Sequence, residues 1–234
     1  MMDYQANDGA ISECPVDEFA VFAELGGDFS DTLKRMASES VLYTAAESIY
    51  VAGTNARHLY ILRDGHVKLF KSTINGKDQI IRIVKPGEIF GFDGLVDTVY
   101  NHSAVPLKHA KACRIPVERL RLLGAQRPEV ERLIMVRCIK ELQHADERLL
   151  ELGAKRSAER LASFLISWCE ATPADRWTPL VLSRLEIAQL LGLTIETVSR
   201  FFAQWKRDEV VEERNQAIRI LDQKRLKTVA ESRA

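Results

Sequence analysis

A short pattern near the C-terminus constrains this chain most. Residues 183–200 read Ser-Arg-Leu-Glu-Ile-Ala-Gln-Leu-Leu-Gly-Leu-Thr-Ile-Glu-Thr-Val-Ser-Arg. Ser183 and Glu186 have the spacing of a capping box, which predicts that a first helix begins there. Gly192 suits the sharp turn that ends this helix, and Thr194 can cap a second helix. Two short helices around a glycine turn are typical of a DNA-binding helix-turn-helix.

The second helix has an apolar face and a polar face. The apolar residues recur at helical spacing and are Ile195, Val198, Phe202 and Trp205. Glu196, Ser199 and Arg200 then face outward at the end of the helix that a recognition helix places in the major groove. We therefore predict that these three side chains read bases. The alternative is a solvated hairpin in which Glu196 and Arg200, four residues apart, form an ordinary surface pair.

Four more residues of this segment are predicted to contact the DNA backbone. They are Ser183, Arg184, Thr194 and Thr197. Ser183 and Thr194 stand at helix N-termini, where backbone N–H groups attract phosphate. Such contacts position a protein on DNA without specifying sequence.

A β-hairpin is predicted to follow the two helices. Residues 210–214 and 217–221 alternate like strands around Asn215 and Gln216, which completes a winged helix-turn-helix. The chain has no net charge, but residues 155–234 carry 14 basic and 11 acidic residues. This excess supports binding to nucleic acid only weakly.

The recognition segment is similar to that of a known family. Gly-Leu-Thr-Ile-Glu-Thr-Val-Ser-Arg, at residues 192–200, resembles the motif of the Crp/Fnr family of bacterial transcription regulators, and Glu-x-x-Ser-Arg resembles its Fnr and FixK branch. The cyclic-AMP branch usually has Gly at the position of Ser199. The resemblance implies a TTGA-N6-TCAA-like palindromic site on double-stranded DNA and RNA polymerase as a partner. It also implies activation more often than repression, at genes of low-oxygen metabolism, nitrogen fixation or respiration.

The N-terminal half is rich in predicted strands. Between residues 42 and 117, short apolar stretches at 49–51, 59–62, 67–70 and 80–84 are separated by Gly65, Gly76, Gly87 and Gly91. This texture predicts a β-sandwich or roll. The stretches 63–67 and 86–91 resemble the cyclic-nucleotide-binding β-roll. We expect an α+β chain with a flexible segment at 1–22, a β-roll domain at 23–125, a dimerisation helix at 126–153 and a DNA-binding domain at 154–234.

A long helix is predicted between the two domains. Residues 128–152 contain no internal proline or glycine, and one set of residues recurs three and four apart. This set consists of Met135, Cys138, Leu142, Ala145, Leu149 and Leu152. Such a repeat is the seam of a two-stranded coiled coil, so we expect a homodimer. The alternative is a single amphipathic helix packed on its own β-roll.

The phosphate-binding residues of the cyclic-AMP regulators are missing. By resemblance, a Gly-Glu pair and a later Arg-Ser pair would hold the nucleotide phosphate. Here residues 91–95 read Gly-Phe-Asp-Gly-Leu and residues 101–104 read Asn-His-Ser-Ala, so Phe92 replaces the glutamate and the arginine is absent. A phosphate in a partly buried pocket needs a charged partner. We therefore expect no control by cyclic nucleotides.

No cofactor is expected. By resemblance, oxygen-sensing Fnr proteins bind an iron–sulfur cluster through four cysteines, whereas only Cys14 and Cys113 match those positions here. The four cysteines lack paired spacing and are expected to be reduced thiols. The regulator is therefore predicted to bind DNA without an effector. Gating by redox chemistry, by haem or by a small ligand remains the alternative, and the candidate haem ligands are His58, His66, His102, His109 and His144.

An enzyme and a membrane protein are both disfavoured by the sequence. It contains no glycine-rich phosphate loop, no His-Glu metal motif and no nucleophile elbow, so we expect no catalytic activity. It has no apolar run of membrane-spanning length and no signal-peptide pattern at its N-terminus. A cytoplasmic protein without a membrane partner is expected.

Overall fold

The chain folds into two compact units. The computed structural model describes residues 39–170, 172 and 176–231. Among these residues, contacts group 39–72 with 81–137, and 73–80 with those from 138 to 231. The segment 1–22, which is predicted to be flexible, and Cys14, which matches a cluster position by resemblance, lie outside the described residues.

Five strands form the sheet of the first unit. They are β1 (Glu39–Thr44), β2 (His58–Ser72), β3 (Asp78–Val84), β4 (Ile89–Phe90) and β5 (Ser103–Pro116). The sheet order is β1-β5-β2-β3, and β4 lies beside β2. β5 pairs antiparallel with both β1 and β2. Ile61, Leu62 and Val67 of β2 and Ile115 of β5 are fully buried, so these long central strands carry much of the core.

β2 corrects part of the strand prediction. The stretches 59–62 and 67–70, predicted as two strands separated by Gly65, belong to one strand of 15 residues. Gly65 has φ 83° at an irregularity of the β2–β5 pairing, where a Cβ would lie 2.1 Å from the carbonyl oxygen of His109. Glycine is therefore required here by a β-bulge within one strand and not by a turn between two strands. The stretch 49–51 is also not a regular strand, although Tyr50 forms a single bridge to Ala104.

Three helices follow the sheet. They are α1 (Val117–Gln126), α2 (Pro128–Ala154) and α3 (Ser157–Cys169). Val117, Leu120 and Leu123 of α1 and Val130 of α2 are buried in one cluster with strand residues of the first unit. The predicted long helix is confirmed and extends two residues beyond Leu152. In the described part of the chain, none of the helices is both long and apolar enough to cross a membrane.

The second unit contains the helix-turn-helix and its wing. Its remaining elements are β6 (Thr178–Pro179), α4 (Arg184–Leu191), α5 (Ile195–Arg207), β7 (Val211–Arg214), β8 (Ala217–Ile220) and α6 (Gln223–Ala230). The strands form an antiparallel sheet in the order β6-β8-β7. Leu161 and Leu165 of α3, Ile187 of α4, Ile218 of β8 and Leu226 of α6 are fully buried. The predicted mixed α and β architecture, with a long helix and a C-terminal winged helix-turn-helix, is confirmed.

Candidate nucleic-acid interface

α5 presents a polar, exposed face at its N-terminal end. The side-chain oxygen of Thr194 accepts a hydrogen bond from the Thr197 N–H at 3.2 Å, so the helix begins where the sequence predicts. Glu196, Ser199 and Arg200 are all exposed. These three predicted base-reading side chains therefore lie on one accessible face of a capped helix.

The opposite face of α5 anchors the helix to the domain. Val198, Phe202 and Trp205 are buried, as predicted. Ile195 was predicted to share this face but is 40% exposed, because the first turn of the helix projects beyond the packed core. Three anchors over two turns are sufficient to fix the direction in which the exposed face points.

The charges at the start of α5 have opposite signs. Hydrogen bonds from its own backbone N–H and from the Thr194 hydroxyl lower the pKa of the Glu196 carboxyl. Glu196 is thus a carboxylate at neutral pH and can accept hydrogen bonds. The Arg200 guanidinium carbon lies 5.5 Å from the centre of the Phe201 ring, a cation–π distance that still leaves the side chain exposed.

The first helix and the turn follow the sequence closely. The side-chain oxygen of Ser183 accepts from the Glu186 N–H at 3.2 Å, while the Glu186 carboxylate accepts from the Ser183 N–H at 2.9 Å. The predicted capping box is therefore confirmed. Gly192 ends α4 with φ 61°, the left-handed conformation expected of a helix C-cap glycine.

Arg184 has intramolecular partners. Its guanidinium forms an ion pair with Glu213 of β7, and its central carbon lies 3.4 Å from the centre of the Phe202 ring. Lys206 of α5 also approaches Glu213, at 3.6 Å. Glu213 thus links α4, α5 and the wing. Sequence reasoning missed it, because alternation along a predicted strand does not show which distant cation it meets.

The wing and the start of α4 enclose a surface cleft. It has a volume of about 360 Å³, and Ser183, Arg184 and residues 213–217 line it. The wing turns at Asn215 and Gln216, whose φ angles are 49° and 58°. The predicted hairpin at these residues is confirmed. Arg214 is exposed at its tip, so a basic side chain stands near the predicted backbone contacts Ser183 and Arg184.

α2 exposes the apolar residues of the predicted seam. Leu142 is 61% exposed and Leu149 is 69% exposed. Met135, Cys138 and Ala145 are also exposed, and Leu152 is half-buried. Val136, Ile139 and Leu150 widen the exposed apolar surface of the same helix. A stripe of this length is much larger than the scattered apolar residues of an ordinary surface.

In the first unit, the two segments that the resemblance assigns to phosphate binding lie close to each other. The Tyr50 hydroxyl and Nε2 of His102 are hydrogen-bonded at 2.8 Å, and Nδ1 of His102 lies 3.7 Å from the Asp93 carboxylate. Burial lowers the pKa of His102. Tyr100 stacks on Tyr50 with ring centres 3.8 Å apart, and Phe92 packs against the core. The segments 91–95 and 101–104 thus approach each other at Asp93 and His102.

The described cysteines differ in oxidation state. Cys113 is buried and disulfide-bonded, so the prediction of reduced thiols is wrong at this position. Cys138 and Cys169 are free thiols, and burial raises the pKa of both. Over the ranges that the structure describes, no cluster of three or more His, Cys, Asp or Glu residues is arranged to hold a metal ion.

Comparisons with known proteins match both parts of this chain to known domains. Residues 40–127 match the cyclic nucleotide-binding domain, and residues 159–229 match the Crp-like helix-turn-helix domain. The transcriptional activator protein Anr of Pseudomonas aeruginosa is 30% identical over 196 residues, which are 82% of this chain and 80% of that protein. FnrA of Stutzerimonas stutzeri, also a transcriptional activator protein, is 31% identical over 180 residues, or 75% of this chain and 74% of that protein.

A solved structure has a similar fold. FixK2 from Bradyrhizobium japonicum aligns with a TM-score of 0.76 at 26% identity, covering 83% of this chain and 98% of that one. The chain belongs to the Crp/Fnr family of DNA-binding transcription regulators, on its Fnr and FixK side, and is not an enzyme.

Proposed function

We propose that the chain acts as a homodimer that binds a TTGA-N6-TCAA-like palindrome. The observation that carries this proposal is the exposed set Glu196, Ser199 and Arg200 at the capped end of α5. A single recognition helix reads only a few base pairs. Two of them, about one helical turn apart, read a palindrome.

The dimer uses α2. Its seam residues are predominantly exposed in the single chain, and they recur at the three-and-four spacing that a second copy of the helix covers. The occupant of this stripe is therefore the same helix of a partner chain. A palindromic site has the same two-fold symmetry as such a dimer.

Each exposed side chain of α5 has a chemical role in base reading. Arg200 donates two hydrogen bonds to O6 and N7 of a guanine, and Glu196 accepts from the amino group of cytosine or adenine. Ser199 contacts a base edge or a thymine methyl group. Ser183, Thr194 and Thr197 bind the DNA backbone from the two helix N-termini.

Arg184 is the fourth proposed backbone contact, and its setting gives it a second role. Its guanidinium is paired with Glu213 in the free protein. Arginine carries five N–H donors, so the pair leaves donors for a phosphate on the same fork. Arg184 thus aligns the wing and contacts the backbone from the same position.

DNA binding is independent of a bound nucleotide. A cyclic nucleotide would have to displace the contact between His102 and Asp93, and residues 101–104 contain no arginine at the position where the resemblance puts the phosphate ligand. His102, with its lowered pKa, is neutral at pH 7 and offers no charge in place of that arginine. Asp93 would repel the anion. The first unit therefore serves as a scaffold for α2.

The protein activates transcription together with RNA polymerase. Two of the similar proteins, Anr and FnrA, are named transcriptional activators. By the same likeness, the target genes belong to low-oxygen respiration or nitrogen fixation. A regulator that works with DNA and RNA polymerase acts in the cytoplasm.

One observation favours a second candidate, a redox-gated regulator of the same fold. Cys113 is disulfide-bonded. Disulfides of cytosolic proteins are usually transient or redox-sensing, so an oxidised Cys113 suits a sensor. If this second candidate is correct, Cys113→Ser should abolish any difference in operator affinity between the reduced and the oxidised protein. Equal affinities of the reduced and oxidised wild type exclude it.

Binding of the purified protein to a TTGA-N6-TCAA duplex tests the main proposal. Two protomers should bind each duplex without added nucleotide. Cyclic AMP should not raise the affinity, and binding to a scrambled duplex should be much weaker. The protein should show no absorbance from haem or an iron–sulfur cluster. Binding that requires cyclic AMP, or one protomer per duplex, would contradict the proposal.

A further inference from the structure

One side chain of α3 joins the ends of two other helices. Nη1 of Arg160 donates a hydrogen bond to the carbonyl oxygen of Leu191 at 2.9 Å, and its Nε donates to the carbonyl oxygen of Lys155 at 3.1 Å. Leu191 is the last residue of α4, and Lys155 follows the last residue of α2. A partly buried guanidinium thus binds the C-terminal ends of the dimerisation helix and of the first helix of the helix-turn-helix.

The contacts suit the chemistry of helix ends. The last carbonyl groups of a helix have no partner within the helix and carry partial negative charge. A guanidinium satisfies both ends with one charge, and its planar fork fixes the angle between them. A lysine in the same place has one compact charge and no fork.

The same three elements also approach one another closely at Gly192. A Cβ built on Gly192 would lie 3.5 Å from Nη1 of Arg160 and 3.5 Å from Cδ2 of Leu152. Leu152 is the last residue of the predicted seam, and Gly192 is the turn before α5. The end of the seam, the start of α3 and the turn therefore meet at one point.

A second link fixes the corner between α2 and α3. Nζ of Lys155 donates to the Ser163 hydroxyl at 2.8 Å and lies 3.3 Å from the Glu151 carboxylate. Glu151 belongs to α2 and Ser163 to α3. The contacts of Lys155 hold this corner without Arg160. The hydrogen bond from Arg160 to Leu191 then connects the corner to the turn before the recognition helix.

We propose that Arg160 is a positioning residue that fixes the recognition helix relative to the dimerisation helix and so sets the half-site spacing that the dimer accepts. This inference rests on the proposed dimer and palindrome. In B-DNA, one added base pair both shifts a half-site along the axis and rotates it about the axis. A rigid link excludes the altered spacing, whereas a loose link tolerates it.

The test measures affinity for TTGA-TCAA palindromes with N5, N6 and N7 spacers. Wild type should prefer N6 by about tenfold or more, because an altered spacing forces the DNA or the protein to deform. Arg160→Met should reduce this preference to about threefold or less, while the preference for single bases within each half-site and the dimer are retained. Arg119→Met, which removes an exposed arginine of α1, is the control and should keep the wild-type ratio.

Arg160→Lys keeps the charge and should give an intermediate spacer ratio. If Arg160→Met does not fold, a reduced ratio in Arg160→Lys supports the inference and an unchanged ratio overturns it. Folded Arg160 variants with the wild-type ratio likewise overturn the inference while the proposed function stands. A wild type that binds no palindrome as a dimer overturns both.

Discussion

The guanidinium of Arg184 and the carboxylate of Glu213 form an ion pair that fastens the first helix of the helix-turn-helix to the first strand of the wing. Both side chains are largely buried, with 26% and 20% exposure. Solvent therefore screens this pair less than a pair on the surface. This contact and the approach of Lys206 to Glu213 both help to hold the wing against α4 and α5.

Glu213→Gln should lower the free energy of unfolding by about 1–3 kcal/mol, because it removes a charged hydrogen-bond partner from a partly buried site. Urea denaturation measures this loss. Arg184→Gln should cost a similar amount, and the double variant should cost less than the sum of the two. Glu209→Gln, at an exposed position of the same region, is the control. Additive losses would mean that the pair does not stabilise the wing.

The salt dependence of DNA binding separates the two roles of Arg184. If Arg184 also contacts a phosphate, Arg184→Gln should lower the slope of log affinity against log salt by about one. Glu213→Gln should leave that slope unchanged. Equal slopes for wild type and Arg184→Gln would restrict Arg184 to its structural role.

Leu142→Glu should convert the dimer to a monomer. The substitution places an unpaired charge in the proposed seam and should weaken association by several kcal/mol, roughly the cost of an uncompensated buried charge. Sedimentation velocity measures the change. Gln143→Glu adds the same charge to the adjacent exposed position of α2 and should remain dimeric. A dimeric Leu142→Glu protein that binds DNA normally would show that the seam lies elsewhere.

The stability of the protein should fall at acidic pH. Burial lowers the pKa of His102 below its usual 6.5, so the unfolded chain takes up the proton first as the pH falls. The free energy of unfolding is therefore at its full value above about pH 6.5 and decreases below it. His102→Gln should flatten this decrease in urea titrations at several pH values. Burial also lowers the pKa values of His58 and His66, so these two residues should account for the loss of stability that remains at acidic pH.

His144→Gln, at an exposed position of α2, is the matched control substitution for this experiment. A His102→Gln protein with an undiminished loss of stability at low pH would show that His102 is not an important source of the dependence.

The wing turn should gain stability from glycine. Gln216 has φ 58°, a left-handed conformation that costs a residue with a Cβ roughly 1–2 kcal/mol. Gln216→Gly creates the Asn-Gly pair that such hairpins favour and should raise the free energy of unfolding by about 0.5–1 kcal/mol. Thermal unfolding measures this gain in stability. Gln216→Ala should give no gain, and a gain in both variants would contradict the backbone explanation.

Local signals account for what the sequence predicted well. The capping box of Ser183 and Glu186, the turn at Gly192 and the cap at Thr194 each involve residues within five positions of each other. The backbone hydrogen bonds that define them are therefore encoded in one short segment. The long helix α2 and its repeat of apolar residues were predicted in the same way, because helical periodicity repeats along a single element.

Features that depend on distant partners were missed. Gly65 was predicted to separate two strands, but its role comes from the close approach of His109 on β5. Arg160 meets Leu191 across 31 positions of sequence, and Arg184 meets Glu213 across 29. No local pattern marks such pairs, since either arginine would look the same on a solvated helix face. Tertiary packing decides their partners.

Operator preference tests the central claim, that α5 reads the half-site, most directly. The affinities of wild type, Arg200→Ala, Glu196→Ala and Ser183→Ala are measured on every single-base variant of the TTGA half-site. Arg200→Ala should lose about 1–3 kcal/mol per half-site and all preference at the guanine, and Glu196→Ala should relax one other position. Ser183→Ala should weaken binding to all sequences alike. Unchanged preference at every position in both Arg200→Ala and Glu196→Ala would show that α5 does not read the groove.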